Sequence, residues 1–278
     1  MEQDVDRPVD GTMMQTEPAT VKIGILDADL GGVPLAAAIA SRWPRLSVCL
    51  LADTAHRPVG ERSTALIRRR LGDGLDFLRR QGATQVILAS QTMAALREDS
   101  SAAGLCLVDP VRLAAAAAAA VSPSGRIGVI ASRATVASVA YPRYIADRRP
   151  DARVHQVAAP LVGPLLDAGW EKRPETRMII KKYLHRLKVR QVDTLILGTG
   201  CCGPIAPLIQ RKIGRRVRLI DPLALVLGHL ADPPLQEAPS LPTQPPSLRL
   251  LATDAGPAVR ETCRRLLRHR VDLEQIHL

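Results

Sequence analysis

Four turns in this chain gather residue types able to hold and act on a small anion. The first reads Asp27-Ala28-Asp29-Leu30-Gly31-Gly32, and the second Ala52-Asp53-Thr54 followed by Arg57-Pro58-Val59-Gly60. The third is Ser90-Gln91-Thr92, and the fourth Gly198-Thr199-Gly200-Cys201-Cys202-Gly203-Pro204. Glycine-rich turns that lead into helices present free backbone N–H groups, a cradle for a carboxylate or phosphate. Asp27 either touches such a ligand or simply caps the helix that follows. Cys201 and Cys202 stand where a helix N-terminus would depress a thiol pKa, so both a reactive thiolate and a pair of small packing residues fit them. Cys49, Cys106 and Cys263 lie in apolar runs or a helix and read as packing residues. His56, just before the 58–60 turn, is the histidine nearest this set. The six histidines show no metal-ligand spacing with the cysteines, so no metal site is expected.

Those turns need elements to hold them. Apolar and β-branched runs at 21–26, 47–51, 85–89, 105–108, 126–130, 153–157, 194–197, 217–220 and 248–251 read as strands. Stretches at 35–42, 61–81, 111–121, 176–188 and 258–268 read as helices, the third carrying seven consecutive alanines that let neighbours approach closely. Strands alternating with helices imply an α/β fold whose parallel sheet is covered on both faces, with ligands bound at the carboxyl ends of the strands. Residues 1–20 read as a disordered tail, and 232–246, with six prolines in fifteen residues, as a stiff, extended excursion.

Composition bounds the function. With 278 residues and 46% apolar content the chain is large enough for one or two domains with real cores, which excludes collagen-like, mostly disordered and disulfide-knot classes. No run reaches the roughly 18 apolar residues of a membrane span, and the acidic, polar first twenty residues lack a signal peptide's apolar core, so a cytoplasmic protein with no membrane partner is expected. Five cysteines, two of them adjacent, fit reduced thiols better than a disulfide framework. The net charge of +11 could attract phosphates. Against nucleic-acid binding, the basic clusters are scattered over several helices, aromatics are only 2% and no nucleic-acid motif appears.

The order of motifs resembles the bacterial glutamate racemases of the aspartate/glutamate racemase family. The likeness is carried by Gly24-Ile25-Leu26-Asp27 with Gly31-Gly32, Ala52-Asp53-Thr54-Ala55 with Pro58 and Gly60-Glu61, and Ala89-Ser90-Gln91-Thr92. It continues through Gly128-Val129-Ile130-Ala131 with Tyr141, Pro160-Leu161-Val162 with Leu166-Asp167 and Gly169-Trp170, and Thr194-Leu195-Ile196-Leu197-Gly198. Leu219-Ile220-Asp221 and Leu250-Leu251-Ala252-Thr253-Asp254 complete it, so coverage runs from about residue 22 to the C-terminus. Several motifs in one order are specific where each alone is weak. The resemblance implies two pseudo-symmetric, flavodoxin-like domains closing over one amino acid, the first built from 21–109 plus 221–278 with 232–246 as an insertion, the second from 110–220. It further implies L-glutamate/D-glutamate interconversion for peptidoglycan synthesis without a cofactor. One cysteine thiolate removes the α-proton and a second cysteine thiol, on the opposite face, returns one.

This chain departs from that pattern where the chemistry lies. The first family cysteine aligns with Ser90 and the second with Thr199, and an aliphatic hydroxyl stays protonated without a strong adjacent base. The serine after the first aspartate is Ala28, the tyrosine of the Pro-Tyr-Gly turn is Val59, the asparagine is Gln91 and the supporting histidine is Cys201. Asp27, Pro58, Gly60 and Thr92 are kept, and Asp167 stands where the family usually has glutamate. By resemblance Asp27 and Thr92 lie against the substrate amino group and carboxylate, with Ala28, Pro58, Val59, Gly60, Gln91 and Gly200 around them. Three readings follow. One is a protein that binds a small amino dicarboxylate such as glutamate with catalysis lost, a pseudoenzyme. Another is a redirected isomerase, racemase or decarboxylase using Cys201 as a single thiol. The third is a basic regulatory protein associated with gyrase or nucleic acid, as charge and such partnerships among some racemases suggest. A homodimer is compatible with each.

Overall fold

A computed structural model of the chain describes residues 23–98, 104–231, 248–267 and 272–278. The expected tail at 1–20 and the proline-rich stretch at 232–246 lie outside these residues. The strands are β1 Ile23–Asp27, β2 Val48–Ala52, β3 Gln85–Leu88, β4 Cys106–Val108, β5 Arg126–Ala131, β6 Arg153–Ala158, β7 Thr194–Gly198, β8 Arg218–Ile220, β9 Leu248–Ala252 and β10 Leu273–Gln275. All nine expected strands are present within two residues of their expected ends. β10, three residues with one apolar side chain, carries no readable period and completes the set.

Two wholly parallel sheets result, ordered β10-β9-β2-β1-β3-β4 and β6-β5-β7-β8. In the first, β1 pairs with β2 on one side and β3 on the other. In the second, β5 pairs with β6 and with β7 in the same way. Each sheet therefore has a point where successive connections leave in opposite directions, the place where such sheets leave a crevice at their carboxyl ends. Ser90, after β3, and Thr199, after β7, occupy equivalent positions in the two halves.

The helices are α1 Val33–Arg42, α2 Thr64–Arg80, α3 Gln91–Ala95, α4 Pro110–Val121, α5 Arg133–Ala137, α6 Ala140–Ala146, α7 Val162–Asp167, α8 Pro174–Val189, α9 Ala206–Ile213, α10 Pro222–Ala231 and α11 Pro257–Leu267. The second expected helix begins three residues late because Ser63 caps it, its Oγ accepting the Leu66 N–H at 3.3 Å, while 59–61 forms a separate short turn. Central strands β1, β2 and β7 are buried along their whole length, as a sheet covered on both faces requires.

Three apolar clusters hold the layers. One lies under α1, α10 and α11 against the first sheet, and one under α8 and α9 against the second. The third begins between α2 and the first sheet and continues through the alanines of α4 to Tyr141 and Ile145 of α6, so the two lobes share a core. Ala114, Ala115 and Ala118 are fully buried there; the small side chain brings the α4 backbone close to its neighbours. Cys49 and Cys263 are buried in packing positions, but Cys106 is exposed, because β4 is the edge strand and its first residue faces outward.

Candidate functional site

The carboxyl ends of β1 and β3 face those of β5 and β7 across a cleft with a cavity of about 80 Å³. From the first lobe come Asp27 and Asp29, the Pro58–Glu61 turn, and Ser90, Gln91 and Thr92; from the second come Ser132, Ala159, Pro160, Gly163, Pro164 and the Gly198–Thr199–Gly200 turn. Of the residues singled out in the sequence, Asp27, Pro58, Val59, Gly60, Ser90, Gln91, Thr92, Thr199 and Gly200 meet in this one cleft. Ala28 does not: it is 1% exposed and packs inward with the α2 core, because alternate residues after β1 point to opposite sides. Asp167 lies in an adjoining recess with Asp29, Gly31, Gly200 and Arg265. Cys201 falls within the Gly200–Ile205 turn, but its side chain is outside the described set; Cys202 is buried in the second lobe's core and faces no cleft.

Asp27 organises the first wall. Its Oδ1 accepts the N–H groups of Ala28 (2.8 Å) and Asp29 (3.2 Å), and its Oδ2 that of Gly32 at 2.6 Å. Burial pushes its carboxyl above the usual range, and these backbone donors and Arg57 pull part of that back. It thus caps the turn into α1 and lines the cleft together. Asp29, at the mouth, is raised to about 7, chiefly by burial, with Arg57 opposing.

Among the described residues the hydroxyls of Ser90 and Thr199 have no base hydrogen-bonded to them. Ser90 caps α3, its Oγ taking the Met93 N–H at 3.4 Å. Thr199 Oγ1 is buried and without a hydrogen-bond partner. Among the described residues no carboxylate or imidazole bonds to either oxygen.

Polar ties crossing between the lobes set the width of the cleft. Gln91 donates from Nε2 to the Leu197 carbonyl at 3.1 Å and accepts from the Tyr141 phenol at 2.6 Å. Thr92 Oγ1, Ser132 Oγ and Thr135 Oγ1 form a triangle of hydroxyls with sides of 2.9 to 3.2 Å. Gly60 passes so near Ser132 that a Cβ there would come within 2.5 Å of the serine's Cβ, so only glycine lets the 58–61 turn reach the second lobe. On the α7 side, Arg57 pairs with Asp29 at 2.6 Å and also with Asp167 of the second lobe, while Arg265 donates to the Leu166 and Asp167 carbonyls at 2.8 and 3.2 Å. Ser132 and Arg265 were not legible as site residues, and Arg57 stood in the second turn with no role assigned to it. Ser132 follows a strand, the one signal that could have found it; Arg265 looks like any other arginine in an arginine-rich chain.

Among the described residues no cluster of histidine, cysteine or carboxylate side chains could hold a metal, and no helix is long and apolar enough to cross a membrane. The family model described as Asp/Glu/Hydantoin racemase matches residues 35–230. A glutamate racemase of Gloeobacter violaceus is 36% identical over 209 residues, 75% of this chain and 79% of its own. In fold, the chain matches a glutamate racemase of Bacillus anthracis with a TM-score of 0.84 at 24% identity, covering 92% of this chain and 97% of that one. It also matches the enzyme of Francisella tularensis, solved in complex with D-glutamate, with a TM-score of 0.82 at 23% identity over 93% and 98%. Two parallel-sheet lobes, a cleft between their switch points and a match over most of the chain leave one conclusion: the protein belongs to the Asp/Glu/hydantoin racemase family and is glutamate racemase-like.

Proposed function

We propose that this cleft binds a small amino dicarboxylate such as glutamate, and that the two-thiol racemisation of the family is lost here. The carrying observation is the pair Ser90 and Thr199, hydroxyls at equivalent strand ends on the two walls of the cleft. A thiol titrates near ~8.5 and lends its thiolate readily, whereas a serine or threonine hydroxyl needs an adjacent base. Ser90 Oγ is instead engaged with a helix N-terminus and Thr199 Oγ1 with nothing. The binding half of the reading rests on the Gly-rich 198–200 turn and the Pro58–Gly60 turn, on Thr92, and on the glutamate racemase relatives, one of which was solved with D-glutamate. No cofactor enters this reading. It places the protein in the cytoplasm, next to peptidoglycan precursor supply as its family is. The domains run over 21–109 with 221–278, and over 110–220.

Proton NMR of L- and D-glutamate in D₂O, alongside calorimetric titration of the same compounds, tests it. Saturable binding without interconversion is the expected result. Interconversion by the unaltered chain overturns the loss of chemistry. If it occurs and a Cys201→Ser, Cys202→Ser variant abolishes it, the redirected single-thiol reading replaces this one. Absence of binding by either enantiomer removes the ligand class.

A further inference from the structure

Two carboxyl groups at the end of β1 and in the turn that follows it face the cleft in different ways. Asp27 is 4% exposed and its two oxygens already accept three backbone N–H groups. Its work is to shape the turn. The Asp29 side chain is 31% exposed, lines the cleft, and accepts from the Leu30 N–H at 2.9 Å through the same Oδ1 that pairs with Arg57. Among the described residues no hydrogen bond or ion pair engages its Oδ2.

The rest of the lining sharpens this. Among the described residues the cleft is lined by three carboxylates, Asp27, Asp29 and Glu61, and by no lysine, arginine or histidine. Glu61 is paired with Arg133 at 3.1 Å. Asp29 is paired as well, with Arg57 at 2.6 Å, but it stands beside Gly31 and Gly200 where turns of the two lobes meet, so a cationic group bound there meets Asp29 as its counter-charge. Arg57, 17% exposed, holds the Asp29 carboxyl in place from behind, and itself is anchored to Asp167 of the other lobe. That arrangement orients a carboxylate toward the cleft with one oxygen committed and, among the described residues, one free, the geometry a charge-assisted hydrogen bond needs.

We propose that Asp29 is the specificity-determining anchor for the ligand's ammonium group, selecting amino acids over the diacids that lack the nitrogen. This rests on the amino-acid reading of the cleft given above. Asp27 then acts on the ligand through the turn it shapes, and Arg57 is a positioning residue for Asp29.

Calorimetric titration of L-glutamate, D-glutamate and glutarate against the unaltered protein, Asp29→Asn and Asp29→Ser at pH 8 decides it, with thermal melts to confirm that each variant is folded. The unaltered protein should bind one glutamate enantiomer at least roughly tenfold more tightly than glutarate, the order of one charge-assisted hydrogen bond. Both variants should lose that preference, with glutamate weakened and glutarate changed by less than about threefold. Equal weakening of glutamate and glutarate, or no change in either, overturns the role of Asp29 while leaving the cleft a binding site. Failure of the unaltered protein to bind any of the three overturns the amino dicarboxylate reading and this assignment with it.

Discussion

The phenol of Tyr141, in the second lobe, donates to Gln91 Oε1, in the first, at 2.6 Å, and the same amide donates onward to the Leu197 carbonyl. Both side chains are at most 2% exposed. A residue that by resemblance belongs to ligand binding is here spent, at both ends of its amide, on fastening the lobes together.

Tyr141→Phe should therefore cost about 1–3 kcal/mol, because it leaves a buried carbonyl oxygen unpaired. Gln91→Leu should cost a similar amount, and the double variant less than the sum, since removing both partners leaves nothing stranded at that end. Urea denaturation of the four proteins measures the coupling; strict additivity would mean that the 2.6 Å contact carries no energy.

Replacing Ser90 and Thr199 with cysteine tests whether the walls still oppose each other productively. Either single variant should exchange the glutamate α-proton with solvent deuterium while retaining configuration, because one thiol serves one face. The double variant should interconvert the enantiomers at a rate at least tenfold above either single, read by circular dichroism of the substrate. Double-variant protein that binds glutamate yet neither exchanges nor inverts would show that the wall geometry has drifted along with the residue types.

Asp29 should give stability an unusual pH dependence. Burial raises its carboxyl from 3.8 to about 7 in the folded chain, so between those values the folded state holds a proton that the unfolded state has released. Its contribution is thus complete below about pH 4, declines as the pH rises to 7 and is constant above. Asp29→Asn should flatten that decline, gaining stability relative to the unaltered protein at pH 8 compared with pH 5. Melting curves across this range that run parallel for the two proteins would remove Asp29 as the cause.

Asp53 works in the opposite sense. It is 1% exposed and takes Arg70 through two contacts of 2.9 and 3.2 Å, with His56 at 3.0 Å and Thr253 at 2.9 Å. Burial alone would raise its carboxyl, but the bonds from Arg70, His56 and Thr253 outweigh burial and leave it below 3.8. Its stabilisation is present above pH 4 and disappears as pH falls through the lowered value. Arg70→Ala should cost about 3–5 kcal/mol by stranding a buried carboxylate between β2, α2 and β9, and Arg70→Met with Asp53→Asn should cost clearly less. Chemical denaturation at pH 7 reads both.

Much of the fold was legible because its signals are local. Apolar runs of four to six residues alternate with helical stretches whether or not the rest of the chain is known, whereas the exact helix starts were set by caps that the periodicity does not mark, Ser63 at α2 and Asp109 at α4. β10 was illegible for the same reason: Leu-Glu-Gln becomes a strand only because β9 offers it a parallel edge. Cys106 was misplaced because a residue pattern does not say which strand ends up at the edge.

Sequence by itself determined the residue types at the two walls, hydroxyls that by resemblance stand where the family has thiols, and the turns that bring them to strand ends, since type and neighbouring sequence are properties of the chain alone. Tertiary structure decided what those residues are free to do. That Gln91 is consumed by Tyr141 and Leu197, and that Arg57 spans from Asp29 to Asp167, both depend on how the lobes dock. A hydrogen bond or ion pair forms only between groups brought within about 3 Å, and for residues far apart in sequence that proximity is set by packing of the whole molecule.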